Sequence, residues 1–335
     1  MSEGHAADLP AIRAAADRIA PHVHHTPVLT SSSIDAVADH SLFFKCENLQ
    51  KVGAFKMRGA TNAVFSLPDE QAQRGVATHS SGNFAQALAL AARLHSIPAH
   101  VVMPTSAPAV KRDAVEAYGA TIYPCEPTLP ARESTAAAVV ERTGATLLHP
   151  YNHPDVIAGQ GTVALELLDQ VPDLDAIVAP VGGGGLMSGI CVAARALKPE
   201  ITLLAAEPAG ADDAARSLAS GRLIPQTAPN TVADGLLTSL GSLTWPILRD
   251  HLDGILTVRD DQIVAAMRLV WQRMKLVIEP SAAVPLAAVL DERFATALEE
   301  GKGAAGKRVR PNHVWGGRVG VVLSGGNVDL DHLPW

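Results

Sequence analysis

Short apolar runs alternate with helical patterns along most of the chain. Five β-branched or apolar runs stand out, each followed by a turn: 75–79, 100–103, 176–181, 202–206 and 318–323. The first four lead into segments with helical patterning, such as FAQALALAARLH after the first run. Strands that alternate with helices of this length are typical of βαβ units. The pattern predicts an α/β fold with parallel sheet flanked by helices on both faces.

The length and composition fit a globular protein with a sizeable core. The 335 residues suffice for two domains or one large α/β unit, and 47% are apolar against 18% charged. We expect a small α/β domain over 68–151 and a large domain formed by 1–67 and 152–335. Segment 299–318, rich in Gly and basic residues, predicts a solvated loop before the last strand.

Charge and cysteine usage exclude several classes of protein. A net charge of −7 with 4% aromatic residues is unlike a nucleic-acid binder. The uncharged stretch 176–194 is long enough to span a bilayer, but its four central glycines argue against a membrane segment. Three widely spaced cysteines form no disulfide or zinc pattern, and the N-terminus lacks a signal peptide. These features favour a cytoplasmic protein.

Three polar, glycine-rich loops follow predicted strands: SSGN (80–83), GGGG (182–185) and SGGN (324–327). In open α/β sheets, ligands bind beyond the carboxyl ends of the strands, where such loops converge. Glycine lets the backbone approach a ligand closely, and a following helix offers unpaired N–H groups to an anion. Each loop alone is also explained as a tight turn, but three together favour a phosphate-binding site.

Two nucleotide-binding motifs fail on inspection. In G-x-G-x-x-G, the third glycine position falls on Met187 or Ser188. The Walker-like segment 301–308 ends in Arg308, where Ser or Thr is needed, and it follows a helical pattern instead of a strand. A nicotinamide-dependent oxidoreductase is therefore the weaker alternative.

A lysine in the segment KCENLQKVGAFKMRGA (45–60) suggests different chemistry. Lys56 lies between Phe55 and Met57, with Gly53 and Gly59 nearby; such a lysine is usually only an ordinary surface residue. Together with a phosphate site, however, a reactive lysine is what pyridoxal 5'-phosphate requires. Phe55 would flank the cofactor ring, Asn83 would bind its phenolic oxygen, and Ser324 would meet its pyridine nitrogen.

These motifs together resemble the fold-type II pyridoxal-phosphate enzymes, and within them the serine racemase and serine/threonine dehydratase family. The resemblance extends from about Thr26 to Leu330 and includes VIAGQGTVALE, AEPAGADD and RMKLVIEPSAAV. It implies two open, twisted, mainly parallel sheets. It also implies that Lys56 binds the cofactor covalently and acts as the base at Cα. The phosphate would be held by Gly182, Gly183, Gly184, Gly185 and Leu186.

The same resemblance implies an ammonia-lyase for a 3-hydroxy amino acid such as L-serine or L-threonine, giving a 2-oxo acid and ammonia. Ser324 at the ring nitrogen makes the cofactor a weaker electron sink than an aspartate would, which suits prompt loss of the β-hydroxyl. Racemase activity is expected as well. The alternatives are a dedicated serine racemase, a 3-hydroxyaspartate dehydratase, and a catalytically silent amino-acid-binding protein.

Further residues carry implied roles. Ser81 would supply an acid/base group on the face opposite Lys56, or else orient the substrate carboxylate together with Ser80. Arg132 matches an arginine that can meet a substrate carboxylate. Phe84 stands where the family usually has histidine, in the loop that grips this carboxylate, and Tyr151 stands where the racemase has asparagine.

A metal site and two further partners are implied less directly. Glu207, the Ala211 carbonyl and Asp213 match a site for Mg²⁺ or Ca²⁺, with a solvated acidic helix start as the alternative. A nucleotide effector is implied by Ser31, Ser32, Lys51, Gln86, Tyr118, Lys275 and Asn327. Val52 and Ser33 depart from that nucleotide site. The habit of the family favours a homodimer.

Overall fold

The computed structural model describes residues 4–80, 82–107, 109–300 and 316–335. Ser81 lies outside the described residues, as does 301–315, which makes up most of the predicted 299–318 loop. The described strands are β1 (Val28–Leu29), β2 (Ser41–Cys46), β3 (Val76–His79), β4 (Ala99–Pro104), β5 (Thr121–Cys125), β6 (Thr146–Leu147), β7 (Ala176–Pro180), β8 (Thr202–Pro208), β9 (Gly254–Val258) and β10 (Arg318–Leu323).

The described α-helices surround these strands. They are α1 (Leu9–Ile19), α2 (Ser32–Ala38), α3 (Lys56–Phe65), α4 (Asp69–Arg74), α5 (Asn83–Leu94), α6 (Ala109–Ala117), α7 (Leu129–Thr143), α8 (Pro154–Gln170), α9 (Gly185–Leu197), α10 (Asp213–Ser220), α11 (Thr244–His251), α12 (Asp260–Met274), α13 (Pro280–Val289) and α14 (Phe294–Glu300). Among them, none combines the length and the apolar character that a bilayer crossing requires.

The strands form two sheets, which confirms the predicted fold class. A six-stranded sheet has the order β1-β2-β10-β7-β8-β9, and a four-stranded sheet has the order β5-β4-β3-β6. All described neighbours are parallel except β1, which pairs antiparallel with β2 at the edge. The smaller sheet lies within the range expected for the small domain. The boundaries of that domain stay a prediction.

The apolar runs became strands because both of their faces are covered. Every residue of β7 and β8 is buried, as expected of central parallel strands between helical layers. Strands β1, β2, β5, β6 and β9 were not singled out from the sequence. The helix predicted after β8 begins only at Asp213, because Ala209–Ala211 first form a 3-10 turn.

Glycine contacts bring three helices close together beside the larger sheet. A Cβ on Gly189 in α9 would lie 2.4 Å from the Gly161 nitrogen in α8. A Cβ on Gly159 in α8 would lie 2.7 Å from the Gly59 Cα in α3. Because no side chain separates these backbones, α8 fixes the position of α3. Helix α3 begins with Lys56.

Candidate active site

The loops that form the site follow three neighbouring parallel strands and lie at one edge of the larger sheet. Strands β2, β10 and β7 are adjacent and parallel, so the segments that follow them leave the sheet on the same side. The loop after β10 then pairs with the segment that precedes α3. The Phe55 N–H donates to the Ser324 carbonyl at 3.0 Å, and the Gly326 N–H donates to the Gly53 carbonyl at 2.9 Å. The SGGN loop therefore fixes the start of the helix that carries Lys56.

The Lys56 amine lies in an apolar, partly buried environment. Its Nζ donates to the Pro150 carbonyl at 2.8 Å and lies 5.1 Å from the centroid of the Phe55 ring. Burial lowers the pKa of Lys56 to about 8, although the negative charge of Glu279 opposes this shift. A larger fraction of the amine is therefore neutral near pH 7 than for an exposed lysine. A neutral amine is the form that attacks a carbonyl or accepts a proton.

Phe84 contributes to this apolar environment. It lies in the first turn of α5 and is 1% exposed, packed in a core cluster that includes Met57 and Leu88. Its ring centroid lies 5.7 Å from the Lys56 Nζ. The residue that departs from the family pattern is thus a buried neighbour of the lysine, as well as a member of the loop expected to grip a substrate carboxylate.

The glycine loop 182–185 joins β7 to α9 and is fully buried. Gly184 has φ +86°, a left-handed conformation that favours glycine. A Cβ on Gly182 would lie 2.9 Å from the Leu236 Cα, and one on Gly184 would lie 2.9 Å from the Thr244 Cβ. The first N–H groups of an α-helix have no acceptor within the helix. Bare backbone amides at the start of a 13-residue helix suit a phosphate group.

The segment 149–152 connects the lysine to the glycine loop. The ring of Tyr151 lies 2.4 Å from where a Cβ on Gly183 would stand, and the preceding carbonyl, of Pro150, accepts from Lys56. His149 Nδ1 accepts from the Asn152 N–H at 3.0 Å, which keeps this nitrogen unprotonated. Burial and, to a smaller extent, the neighbouring basic side chains lower the pKa of His149 to about 4. A neutral His149 thus holds the turn that presents Pro150 to the amine.

Asn83 belongs to a group of polar side chains that the sequence did not reveal. Its Nδ2 donates to the two oxygens of Glu279 at 3.0 and 3.2 Å, and its Oδ1 accepts from Asn327 Nδ2 at 2.9 Å. Burial raises the pKa of Glu279 to about 7, and the negative charge of Asp234 adds to the shift. In the sequence Glu279 appears only as the acid of IEPS, with nothing local to mark it as buried beside Asn83.

The predicted substrate residues lie near the carboxyl end of β3. Ser80 Oγ accepts from the Gly82 N–H at 3.4 Å. The positive charge of Arg132 in α7 contributes, after burial, to the lowered pKa of His79 at the end of β3. The Nε of Arg132 is buried and has no hydrogen-bond partner within the described residues. A guanidinium in this state is suited to bind an incoming carboxylate.

The predicted metal ligands lie where β8 meets α10. Glu207 accepts from the Ala214 and Ala215 N–H groups at 3.0 and 2.9 Å. Asp213 Oδ2 accepts from the Leu240 N–H at 3.1 Å, whereas its buried Oδ1 has no partner in the part of the chain described. Burial raises the pKa of Glu207 to about 8 and that of Asp213 to about 6.

Glu207 and Asp213 provide carboxylate oxygens that suit a hard cation, but these two side chains alone do not complete its coordination. Within the described ranges, no three or more His, Cys, Asp or Glu side chains group as metal ligands. The Ala211 carbonyl and water would have to complete the coordination, as is common for Mg²⁺ and Ca²⁺. The unsatisfied Asp213 Oδ1 is the observation that favours such an ion.

Three of the seven positions that match a nucleotide site have side-chain hydrogen bonds within the chain: Ser31, Lys275 and Asn327. Ser31 and Ser33 share a hydrogen bond at 3.2 Å, and Lys275 Nζ donates to the Gln272 carbonyl at 2.7 Å. Asn327 Nδ2 donates to the Val52 carbonyl at 2.8 Å as well as to Asn83. The nucleotide effector stays a prediction.

Comparison with known proteins agrees with this geometry. The chain is 50% identical to serine racemase of Oryza sativa subsp. indica over 334 residues, which cover 99% of this chain and 94% of that protein. It is 52% identical to beta-hydroxyaspartate dehydratase of Paracoccus denitrificans over 322 residues, 96% of each. The solved structure of maize serine racemase superposes with a TM-score of 0.92 at 50% identity, covering 98% of this chain and 95% of that one.

The family assignment rests on most of the sequence. Residues 19–306 match the family described as "Pyridoxal-phosphate dependent enzyme". The chain therefore belongs to the pyridoxal-phosphate dependent enzymes, as the lysine and the glycine loops predicted.

Proposed function

We propose that the protein is an ammonia-lyase that removes the β-hydroxyl group of a 3-hydroxy amino acid and yields a 2-oxo acid and ammonia. The observation that carries this proposal is the position of the Lys56 amine. It donates to the Pro150 carbonyl, and it lies on the helix whose start pairs with the SGGN loop. The next residue, Tyr151, packs against the glycine loop. Two relatives at 50% and 52% identity are named for serine and beta-hydroxyaspartate, both of which are 3-hydroxy amino acids.

The described residues are suited to hold pyridoxal phosphate. The backbone of Gly182–Gly185 and Leu186 would bind the phosphate, Asn83 the ring oxygen, and Ser324 the ring nitrogen. Phe55 would lie against the ring, and Lys56 would form the covalent bond. When bound, the cofactor withdraws electrons from the substrate Cα.

The side chains of the protein would then accept the Cα proton, and the β-hydroxyl group would leave with one proton as water; hydrolysis of the remaining enamine gives the 2-oxo acid and ammonia. Once the substrate amine has displaced it from the cofactor, Lys56 would take the proton from Cα in its neutral form, a form that its lowered pKa of about 8 makes more abundant, and the Pro150 carbonyl orients the amine. Phe55 and Phe84 keep water away from it. Ser324 is a neutral partner that does not enforce a protonated ring nitrogen, which favours loss of the hydroxyl over a long-lived carbanion.

One observation favours a dicarboxylic substrate, 3-hydroxyaspartate, as a second candidate. Arg132 has a buried Nε without a partner among the described residues, near His79 at the carboxyl end of β3. The second carboxylate of 3-hydroxyaspartate would pair with this guanidinium, whereas serine has only the one carboxylate that the SSGN loop would bind.

The function is tested by measuring ammonia release from L-serine, L-threonine and 3-hydroxyaspartate. We expect release to require Lys56, so Lys56→Ala should be inactive. Arg132→Met should lower kcat/KM for 3-hydroxyaspartate at least about tenfold more than for L-serine, because a charge-assisted hydrogen bond is lost. Wild-type activity in Lys56→Ala would refute the proposal. Equal losses for both substrates in Arg132→Met would remove the dicarboxylate assignment.

Racemisation requires an acid/base group on each face of the substrate, and we propose Ser81 as the group opposite Lys56. Ser81→Ala should keep the dehydration of L-serine and lose the interconversion of L- and D-serine. Chiral chromatography of the products separates the two reactions. Parallel loss of both would show that Ser81 serves only to orient the substrate.

We also propose that Glu207, Asp213 and the Ala211 carbonyl bind Mg²⁺ or Ca²⁺. The buried and unpartnered Asp213 Oδ1 supports this assignment. Added Ca²⁺ should raise the melting temperature of the wild type, since a ligand that binds only the folded state stabilises it. The same addition should leave Asp213→Asn unchanged. An equal rise in both proteins would place the ion elsewhere.

A further inference from the structure

The side-chain amide of Asn327 bridges the segment before Lys56 and the loop that carries Asn83. Its Nδ2 donates to the Val52 carbonyl at 2.8 Å and to Asn83 Oδ1 at 2.9 Å. The Asn327 backbone N–H also bonds to the carboxyl group of Glu279. Both amide hydrogens are thus engaged within the chain.

These contacts determine which way the Asn83 amide faces. A side-chain amide has a donor side and an acceptor side, and its partners decide which is which. The Val52 carbonyl can only accept, so Asn327 must present Nδ2 to it. The same Nδ2 also faces Asn83, so Asn83 must accept this hydrogen bond through its Oδ1. The Nδ2 of Asn83 is left to face Glu279 and the expected position of the cofactor ring.

Glu279 alone would not impose this orientation. A carboxylate accepts from an amide nitrogen, but a protonated carboxyl group can also donate to an amide oxygen. With Glu279 as the sole partner, either orientation of the Asn83 amide would be satisfied once the acid carries a proton. A backbone carbonyl does not titrate, so the Val52–Asn327 contact fixes the orientation in either state of Glu279.

Val52 adopts an unusual backbone conformation at this contact. Its φ is +57° and its ψ is 16°, values that a β-branched residue rarely adopts. Such a conformation persists only where the surroundings enforce it. Asn327 Nδ2 on the Val52 carbonyl and the Gly326 N–H on the Gly53 carbonyl at 2.9 Å provide that enforcement.

We propose that Asn327 is a positioning residue, which uses the fixed Val52 carbonyl to hold the Asn83 amide with its nitrogen toward the ring oxygen of the cofactor. The inference rests on the proposed function, because it takes Asn83 as the residue that binds this oxygen. It assigns to Asn327 a task within the site itself, separate from any nucleotide.

The test compares the affinity of the apoprotein for pyridoxal phosphate and for 3-deoxypyridoxal 5'-phosphate, which lacks the ring hydroxyl. We expect the wild type to prefer pyridoxal phosphate about tenfold, the worth of one hydrogen bond to a charged oxygen. Asn327→Ala should lose most of this preference while it still binds the analogue with wild-type affinity. If Asn327→Ala instead bound both ligands more weakly by the same factor, the preference would be intact and the inference would be overturned.

Asn48→Ala is the matched control. Asn48 packs against the same loop, 3.4 Å from where a Cβ on Gly326 would stand, and donates to the Val277 carbonyl at 3.1 Å. It should keep the tenfold preference. A wild type that shows no preference would refute the contact of Asn83 with the ring oxygen, and the inference with it. Retention of the preference in Asn327→Ala would refute the inference alone.

Two further measurements guard against misfolding of that variant. Asn327→Asp keeps the size of the side chain but cannot donate, so it too should lose the preference. A crystal structure of the unmodified holoenzyme requires no substitution. It should show Asn327 within hydrogen-bond distance of Val52 and Asn83, with Asn83 on the ring oxygen. A separation of more than about 4 Å between the two asparagine amides would contradict the inference.

Discussion

At the scale of single residues, the chemistry depends on the surroundings and the pKa of one amine, that of Lys56. Its Nζ lies near two aromatic rings and donates a hydrogen bond to a backbone carbonyl, and burial lowers the pKa of Lys56 to about 8. The sequence identified this lysine through its combination with the glycine-rich loops and through the family resemblance. It did not identify Glu279 or Asn327 as partners of Asn83, since these three residues meet only when the loops after β3 and β10 and the segment before α13 come together.

The lowered pKa of Lys56 has a measurable consequence. Only the neutral amine reacts with the cofactor aldehyde, so the rate at which the apoprotein captures pyridoxal phosphate should rise with pH and level off above about 8. A lysine peptide is the control, and its rate should continue to rise to about pH 10.4. Stopped-flow absorbance measures both rates. A protein profile that follows the peptide would show that burial does not tune this amine.

At the scale of elements, α3 is anchored beneath Lys56 by buried charges. Arg58 Nε donates to Glu47 at 2.7 Å and its Nη1 donates to Glu166 at 2.6 Å, while Lys45 Nζ donates to Glu166 at 2.6 Å. Lys45, Glu47 and Arg58 are fully buried. The pairing balances two cations with two anions and joins β2, α3 and α8.

The sequence motif contains Lys45, Glu47 and Arg58, but it did not predict that they form buried ion pairs. Glu47 precedes Arg58 by 11 positions in the same motif segment, whereas Glu166 is 108 positions away from Arg58 in α8. Local patterning predicts strands, helices and glycine turns well, since each depends on neighbours in the chain. It does not show which distant acid completes a buried ion pair.

The glycine loop offers a prediction at this same scale. Gly184 and Gly221 both have positive φ, +86° and +69°, but only a Cβ on Gly184 would crowd a neighbour, Thr244. Alanine at either position should cost roughly 1 kcal/mol or more in the free energy of unfolding because of backbone strain. Only Gly184→Ala should also weaken pyridoxal phosphate binding, by at least about tenfold. Thermal melts and cofactor titrations provide the comparison; equal cofactor affinity in the two variants would remove this loop from the phosphate site.

At the scale of the whole molecule, an ion pair links the flank of the smaller sheet to the glycine loop. Lys111 Nζ in α6 donates to Asp234 Oδ2 at 2.6 Å. Asp234 begins the 3-10 turn Asp234–Leu236, and Leu236 packs against Gly182. The fold class itself was predictable from alternating strands and helices. This contact was not, because it depends on how the two sheets are placed relative to each other.

Loss of this pair should weaken substrate binding modestly. Both side chains are partly exposed, 21% and 52%, so we expect Lys111→Met to raise KM by at most about fivefold at low salt. The effect should fade at high salt, where exposed charges are screened. Arg74→Met, which removes an exposed pair with Glu70, should leave KM unchanged. Steady-state kinetics at two salt concentrations measure this change in KM. A change in KM that does not depend on salt would mean that Lys111 acts by packing and not by charge.

The most direct test concerns the covalent bond between Lys56 and the cofactor. The holoprotein is reduced with borohydride, digested and analysed by mass spectrometry. We expect one cofactor adduct per chain, located on the peptide that contains Lys56, and none on Lys56→Ala treated in the same way. An adduct on another lysine, or fully loaded protein without an adduct on Lys56, would contradict the account.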